Sequence, residues 1–270
     1  MRILIARWMV TVAAAAALVC GSAAAQAPRA GQAAAGAAPT KPIPRTAEGK
    51  PDLTGTWQAG GVSITGEAGA PPLHPLPPTK YRAPRREPIP YQEWAAAQEK
   101  TFTVLDDPTS QCLLPGVPRI VGMPMPLEIV QTPKEVVILY ESFRAYRRIP
   151  INDKLEHPDD LTPTWMGDSV GRWEGDTFVV DVTGFNDKTW LSGLGSIHTE
   201  KLHVVEHYQL NDDDTLSYTA TVEDPGALTK PWVTGSVLRR PIDVRVEEYE
   251  CIENNPDNEH IRKAMEKEKK

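Results

Sequence analysis

The side chains best suited to chemistry in this sequence are imidazoles and carboxylates grouped between residues 157 and 224. His198 and His157 are the candidate general base or acid, because an unperturbed imidazole titrates near working pH. Asp187 or Glu206 would orient the ring, Asn186 would hydrogen-bond a substrate, and Trp190 with Trp165 would stack on it. His203 and Asp224 complete the candidate ligand contacts. Without a cofactor, this set supports proton transfer, as in a lyase, hydratase or isomerase. The same residues can equally hold a ligand without converting it, as a carrier or sensor of the cell envelope does.

A metal reading of "HTEKLHVVEH" fails on geometry. His203 and His207 have the spacing of a helical metal pair, but the segment has a β pattern, in which four residues span about 13 Å and one ion cannot reach both. Other chemistries lack their motifs. "GDSVG" sets Ser169 inside a strand instead of on a nucleophile elbow, and neither a phosphate-cradling loop nor a dinucleotide fingerprint is present. No metal and no cofactor is therefore expected.

These residues need a scaffold, and from Leu127 onward the pattern is β. β-branched and aromatic runs separated by turn residues give candidate strands in "LEIVQ", "EVVILYE" and "AYRRIPI". More follow at 168–173, 177–183, 201–210, 215–223, 232–239 and 244–251, with "DLTGTWQ" ahead of them all. An antiparallel meander of this many strands can close into a β-barrel, which removes its sheet edges. "GRWEGDTFVVDV" reads as a hairpin: with Gly175-Asp176 as its turn, Trp173 faces Phe178, Gly171 faces Val180 and Ser169 faces Val182. That face is buried. On the other, Arg172 lies diagonal to Asp181, which reads as a cross-strand ion pair. A turn at Asp212-Asp213 would set His207 opposite Tyr218 and His203 opposite Val222. Turning both histidines outward buries Leu202, Val204, Tyr208 and Leu210, which takes more carbon out of water, although the sequence leaves the other face open.

The Gly175-Asp176 and Asp212-Asp213 turns share one end of the meander. "NDKLEHPDDLTPTWMG", "GFNDKTWLSGLGSIHTE" and "DPGALTKP" are therefore expected together at the other. Loops of this length in a compact domain are more often functional than ornamental. A barrel mouth rimmed by Trp, His and carboxylate is a reasonable small-molecule site.

Residues 1–25 read as an export signal: a basic start, an apolar core too short to span a bilayer, and a cleavage site at Ala23-Ala24-Ala25 before Gln26. Residues 26–48 read as a disordered linker, 49–253 as a single β-barrel domain and 254–270 as a charged C-terminal helix or tail. Within the domain, 70–91 is a proline-rich arm that covers the surface, and "YQEWAAAQEK" is a short helix. Loss of Arg2 and Arg7 with the signal takes the formal charge from −7 to −9, which argues against nucleic acid or an anionic membrane as partner. The partner expected is a small apolar or aromatic molecule, with no membrane insertion after signal cleavage and the oligomeric state left open. The expected location is the periplasm or the medium. In such an oxidising compartment Cys112 and Cys251 are expected to pair, two buried thiols being the alternative.

"QCLLPGVPRI", "PTWMGDSVGRWEGDTFVVDVTGFNDKTWL", "HTEKLHVVEHY" and "EYECIEN" span about half of the chain. In order and spacing they resemble a large group of uncharacterised exported bacterial proteins. The resemblance favours the Cys112–Cys251 bridge, since both cysteines fall in matching segments. His157, Asn186, Trp190, His198, His203 and Glu206 match the group's pattern, whereas His207 stands where the group has Arg and the tail after Cys251 departs from it. No activity is implied. Gly55-x-Trp57 in "PDLTGTWQ" is similar to the N-terminal signature of lipocalin-like barrels, in which the Trp plugs the closed end. That likeness implies a lipocalin-like barrel here.

Overall fold

Val204, Glu206, Tyr208 and Leu210 are buried while the residues between them are not, and the same period of two recurs along 215–223 and 232–239. One-sided burial of this kind curls a sheet around an inward face. The computed structural model describes residues 42–60, 72–85, 87–193, 195–253 and Lys263. Its strands are β1 (Gly55–Ala59), β2 (Leu127–Gln131), β3 (Glu135–Tyr140), β4 (Tyr146–Pro150), β5 (Asp168–Glu174), β6 (Thr177–Thr183), β7 (His203–Asp212), β8 (Thr215–Glu223) and β9 (Trp232–Arg239). They form one sheet in the order β4-β3-β2-β1-β9-β8-β7-β6-β5, with every hydrogen-bonded pair antiparallel.

The sheet is a nearly closed barrel. Its two outer strands meet at a parallel bridge between Ile151 and Gly171, where the Asn152 N–H donates to the Gly171 carbonyl at 2.8 Å. Nine alternating strands cannot close without one parallel pair of neighbours, and a parallel pair needs a crossover connection. Residues 151–167 are that crossover.

Register follows the turns. The Gly175-Asp176 hairpin pairs Trp173 with Phe178, Gly171 with Val180 and Ser169 with Val182, as its sequence dictates. The β7–β8 hairpin is one residue out from expectation: a bulge between Leu210 and Asp212 sets His207 opposite Thr219 and His203 opposite Glu223. Tyr218, expected to share a face with the histidines, therefore points inward opposite Tyr208. Residues 244–251 form no strand; there the Glu247 N–H donates to the Glu141 carboxylate at 3.0 Å and Cys251 bridges to Cys112.

The core gathers Trp57, Leu127, Ile129, Ile138, Phe178, Val180, Tyr208 and Leu216 in one cluster. The helix α1 (Glu93–Glu99) sits inside "YQEWAAAQEK", with Ala95 packed beside Trp190, Ile197 and Ala227. The proline-rich arm lies along β9: Arg239 and the Trp232 indole donate to the carbonyls of Pro77 and Glu87, each at 2.9 Å. Proline-rich backbone has few N–H groups, so such an arm docks as an acceptor. Residues 42–48, expected in the linker, pack on the barrel instead; Ile43 touches the core and Arg45 pairs with Asp176. Residues 1–41, expected as export signal and linker, the start of the expected arm at 70–71 and the expected C-terminal tail apart from Lys263 lie outside the described residues. Among the described residues no helix is long and apolar enough to cross a membrane.

Candidate functional site

Chain direction sets 184–202, 224–231 and the 90–126 part of the β1–β2 connection at one end of the barrel, opposite the turns at 132–134, 175–176 and 213–214. The crossover 151–167 does not simply join them, because it runs from the tight-turn end to the loop end outside the wall. At the loop end Val117, Ile120 and Val121 descend into the core with Phe185, Leu191, Leu202 and Leu228. Gly116 lies so close to Thr189 that a Cβ there would meet its hydroxyl at 2.5 Å. This end is packed with side chains.

Several of the sequence-proposed residues are occupied in that packing. His198 is 4% exposed; its Nδ1–H donates to the Thr199 carbonyl at 3.0 Å, so its Nε2 accepts from the Thr189 hydroxyl at 2.6 Å. Burial pulls this imidazole below its ordinary value, against the Thr199 bond and the charges of Asp224 and Asp187. Asp224 clasps the loops by accepting from the Thr199 N–H at 2.6 Å, the Thr199 hydroxyl at 2.7 Å and the Gly226 N–H at 2.9 Å. Trp190 packs against Phe102, their ring centroids 5.4 Å apart. Asn186 caps its own turn, accepting from the Lys188 N–H at 3.1 Å. Asp187 is exposed and Trp165 is half-buried.

His157 and His203 meet elsewhere, on the outer wall near the loop end. His157 Nδ1 lies 2.7 Å from Asp168 of β5 and its Nε2 lies 3.0 Å from Asp181 of β6. The second oxygen of Asp181 lies 2.8 Å from His203 Nε2 on β7, and His203 Nδ1 lies 3.6 Å from Glu223 on β8. Asp181 is thus the centre of this row, not the partner of Arg172, which pairs with Glu174. His203 and His207 both face outward. Among the described residues no group of three His, Cys, Asp or Glu side chains is arranged to hold a metal ion.

The third gathering is inside the barrel. Glu206 is 0% exposed, and Arg147 donates to its Oε1 at 3.1 Å and its Oε2 at 2.6 Å. The Tyr208 and Tyr218 hydroxyls donate to the same Oε1 at 3.1 and 2.9 Å, and Arg147 also donates to Ser169 at 2.8 Å. Burial opposes the Arg147 charge, and the Glu206 carboxylate outweighs it to raise the guanidinium well above its ordinary value. Burial, then the charge of Glu206, drives Tyr208 and Tyr218 upward. Tyr140 stands beside Arg147 and Tyr208 and is pushed up to about 12, chiefly by burial. Its hydroxyl and Arg147 Nε are buried polar atoms that make no hydrogen bond of good geometry, though Arg147 and Tyr208 lie close enough to moderate the rise of Tyr140.

Of this group, sequence reasoning named only Glu206 as a site residue. Strand parity was the available signal: Arg147 is in phase with buried Ile149, and Glu206 lies between inward Val204 and Tyr208. Comparison with family models and with curated proteins finds no match to this chain.

Proposed function

We propose that this chain is an exported barrel that binds a small apolar or aromatic molecule in its interior, holding an oxygen of the ligand against Arg147 and Tyr140. One observation carries the reading. Inside an apolar wall stands a charged pair whose desolvation costs several kcal/mol, and two atoms beside it, Arg147 Nε and Tyr140 Oη, have donor capacity in hand. Such atoms suit a carbonyl, carboxylate or hydroxyl acceptor on the ligand, while Phe178, Tyr208 and Tyr218 supply aromatic contact. The Cys112–Cys251 bridge and the basic-then-apolar start of the chain support export to the periplasm or the medium. The acidic charge supports a partner that is neither nucleic acid nor membrane surface.

Binding without turnover, as in a carrier or sensor, is the reading the polar geometry favours. Glu206 already accepts four hydrogen bonds, which leaves it an anchor and a poor base. The ring nitrogens of His157, His198 and His203 all face partners. A cofactor-independent lyase, hydratase or isomerase has one observation on its side: His198 is held neutral by burial with a hydroxyl on Nε2.

Titrating intrinsic Trp fluorescence against aromatic and terpenoid compounds, with product analysis of each binder, tests both readings. Tyr140→Phe removes a hydroxyl that makes no hydrogen bond of good geometry, so it should change stability little and weaken a binder about tenfold. A panel with no saturable response, or a Tyr140→Phe protein with undiminished affinity for every binder, would overturn the assignment.

A further inference from the structure

We propose that the crossover 151–167 is a proton-held strap on the outer wall of β5 and β6 beside the parallel seam of the barrel, and that its release opens the route to Arg147. The route and its destination rest on the interior-binding reading, but the motion of the strap does not.

The seam is where closure has least backbone support. Elsewhere each strand shares an antiparallel ladder with its neighbour, whereas β4 and β5 share the single Ile151–Gly171 bridge. What else joins them is side-chain contact. A Cβ on Gly171 would lie 3.0 Å from the Ile149 methyl, and Arg147 of β4 reaches Ser169 of β5 at 2.8 Å. The interior ion pair therefore lies directly behind the seam.

The strap is tied at three places. Asn152 bonds to Gly171 at its start. At its end the Thr164 N–H donates to the Gly184 carbonyl at 2.9 Å, and the Asn186 N–H donates to Thr164 at 2.8 Å. Its middle is held by His157, which is the only side chain of the strap among the described residues seen to bridge two strands. Carboxylate oxygens accept and do not donate, so His157 satisfies Asp168 and Asp181 together only with a proton on each ring nitrogen. Loss of one proton sets a nitrogen lone pair against a carboxylate oxygen, and the tie becomes a repulsion.

The two groups that face it directly are both carboxylates, with groups of either sign beyond them. His157 faces Asp168 on β5 and Asp181 on β6; beyond Asp181 come His203 on β7 and Glu223 on β8. On the strap itself Lys154 pairs with Glu156 at 3.4 Å. The Asp181 hydrogen bond raises His203 above its ordinary value despite burial. Burial pushes Asp181 up, and the bonds and charges of His203 and His157 outweigh it to hold the carboxyl low.

Hydrogen exchange on the full chain, read as protection factors at about pH 5.5 and about pH 8.5, tests the strap without any ligand. Protection at Asn152 and Thr164 should fall about tenfold or more at the higher pH, while β7 and β8 amides keep theirs. His157→Gln should show the low protection at both values. Should that variant fail to fold, the wild-type pair of measurements decides alone. Equal protection of the strap at both pH values, or loss spread evenly over the barrel, would overturn the proposal. For a compound that fluorescence shows to bind, association should quicken with pH in step with strap exchange. An association rate indifferent to strap opening would remove the route while leaving interior binding intact.

Discussion

Arg240 lies over the Trp57 ring at the tight-turn end, its guanidinium carbon 4.1 Å from the ring centroid, and it donates to the carbonyls of Asp213 and Thr54 at 2.6 and 3.0 Å. Gly55 makes this approach possible. Its φ is +125°, and a Cβ there would sit 2.2 Å from Arg240 Nη1. Gly55→Ala is therefore expected to destabilise by about 2 kcal/mol or more, through backbone strain and displacement of the guanidinium. Urea unfolding measures it, and a midpoint equal to wild type would show that the glycine is dispensable.

Arg147 and Glu206 offer a cleaner separation of stability from binding. Removing one charge, as in Glu206→Gln, strands the other in the interior and should cost about 3–5 kcal/mol. Arg147→Met with Glu206→Leu removes both and should recover most of that loss, since apolar replacements of a buried pair are often neutral or better. The double variant should nonetheless fail to bind any compound that the wild type binds. Chemical denaturation and fluorescence titration on the same three proteins check the two halves independently.

The parts legible in the sequence were those fixed by local rules. Trp173 faces Phe178 because Gly175-Asp176 admits one corner. Asp212, Asp213 and Asp214 admit several corners, so the neighbouring hairpin slipped by one residue and Tyr218 changed face. Counting 244–251 as a strand gave an even barrel with no parallel seam, and so hid the crossover that carries His157 along the wall. Glu206 reads as chemistry and not as interior, because a charge in the buried phase makes sense only once Arg147, 59 residues away, is known to face it. The long loops were expected to frame a mouth. His198, Trp190 and Asp224 instead spend their polar and aromatic contacts on one another's segments, which no spacing rule reveals.

The Cys112–Cys251 bridge joins segments 139 residues apart and ties the β1–β2 connection to the chain beyond β9. Cross-linking so long a loop restricts the unfolded chain, and bridges of this kind typically contribute about 2–4 kcal/mol. Replacing both cysteines with Ala should lower the thermal midpoint by several degrees while leaving the β circular-dichroism spectrum unchanged. Because β9 and β1 share only the Gln58–Arg239 and Ala59–Leu238 pairs, exchange should quicken first at that junction. A midpoint indifferent to reduction would show the barrel to be held without the bridge.

His198 and His203 should answer pH with opposite sign. Burial depresses His198, so its contribution is complete above the ordinary imidazole value of 6.5 and is lost as pH falls toward the lower folded value. The bond to Asp181 elevates His203, so its contribution is complete below 6.5 and is lost as pH rises through the higher folded value. Asp181 is depressed and contributes above its ordinary 3.8, fading as pH falls through the folded value. The His203 side chain is 34% exposed, so solvent screens it and its effect should stay under about 1 kcal/mol. Thermal midpoints across pH should thus show an alkaline edge that His203→Gln flattens and an acid edge beginning near 6.5 that His198→Gln flattens. An alkaline edge left unchanged by His203→Gln would mean that its tie to Asp181 does not form in solution.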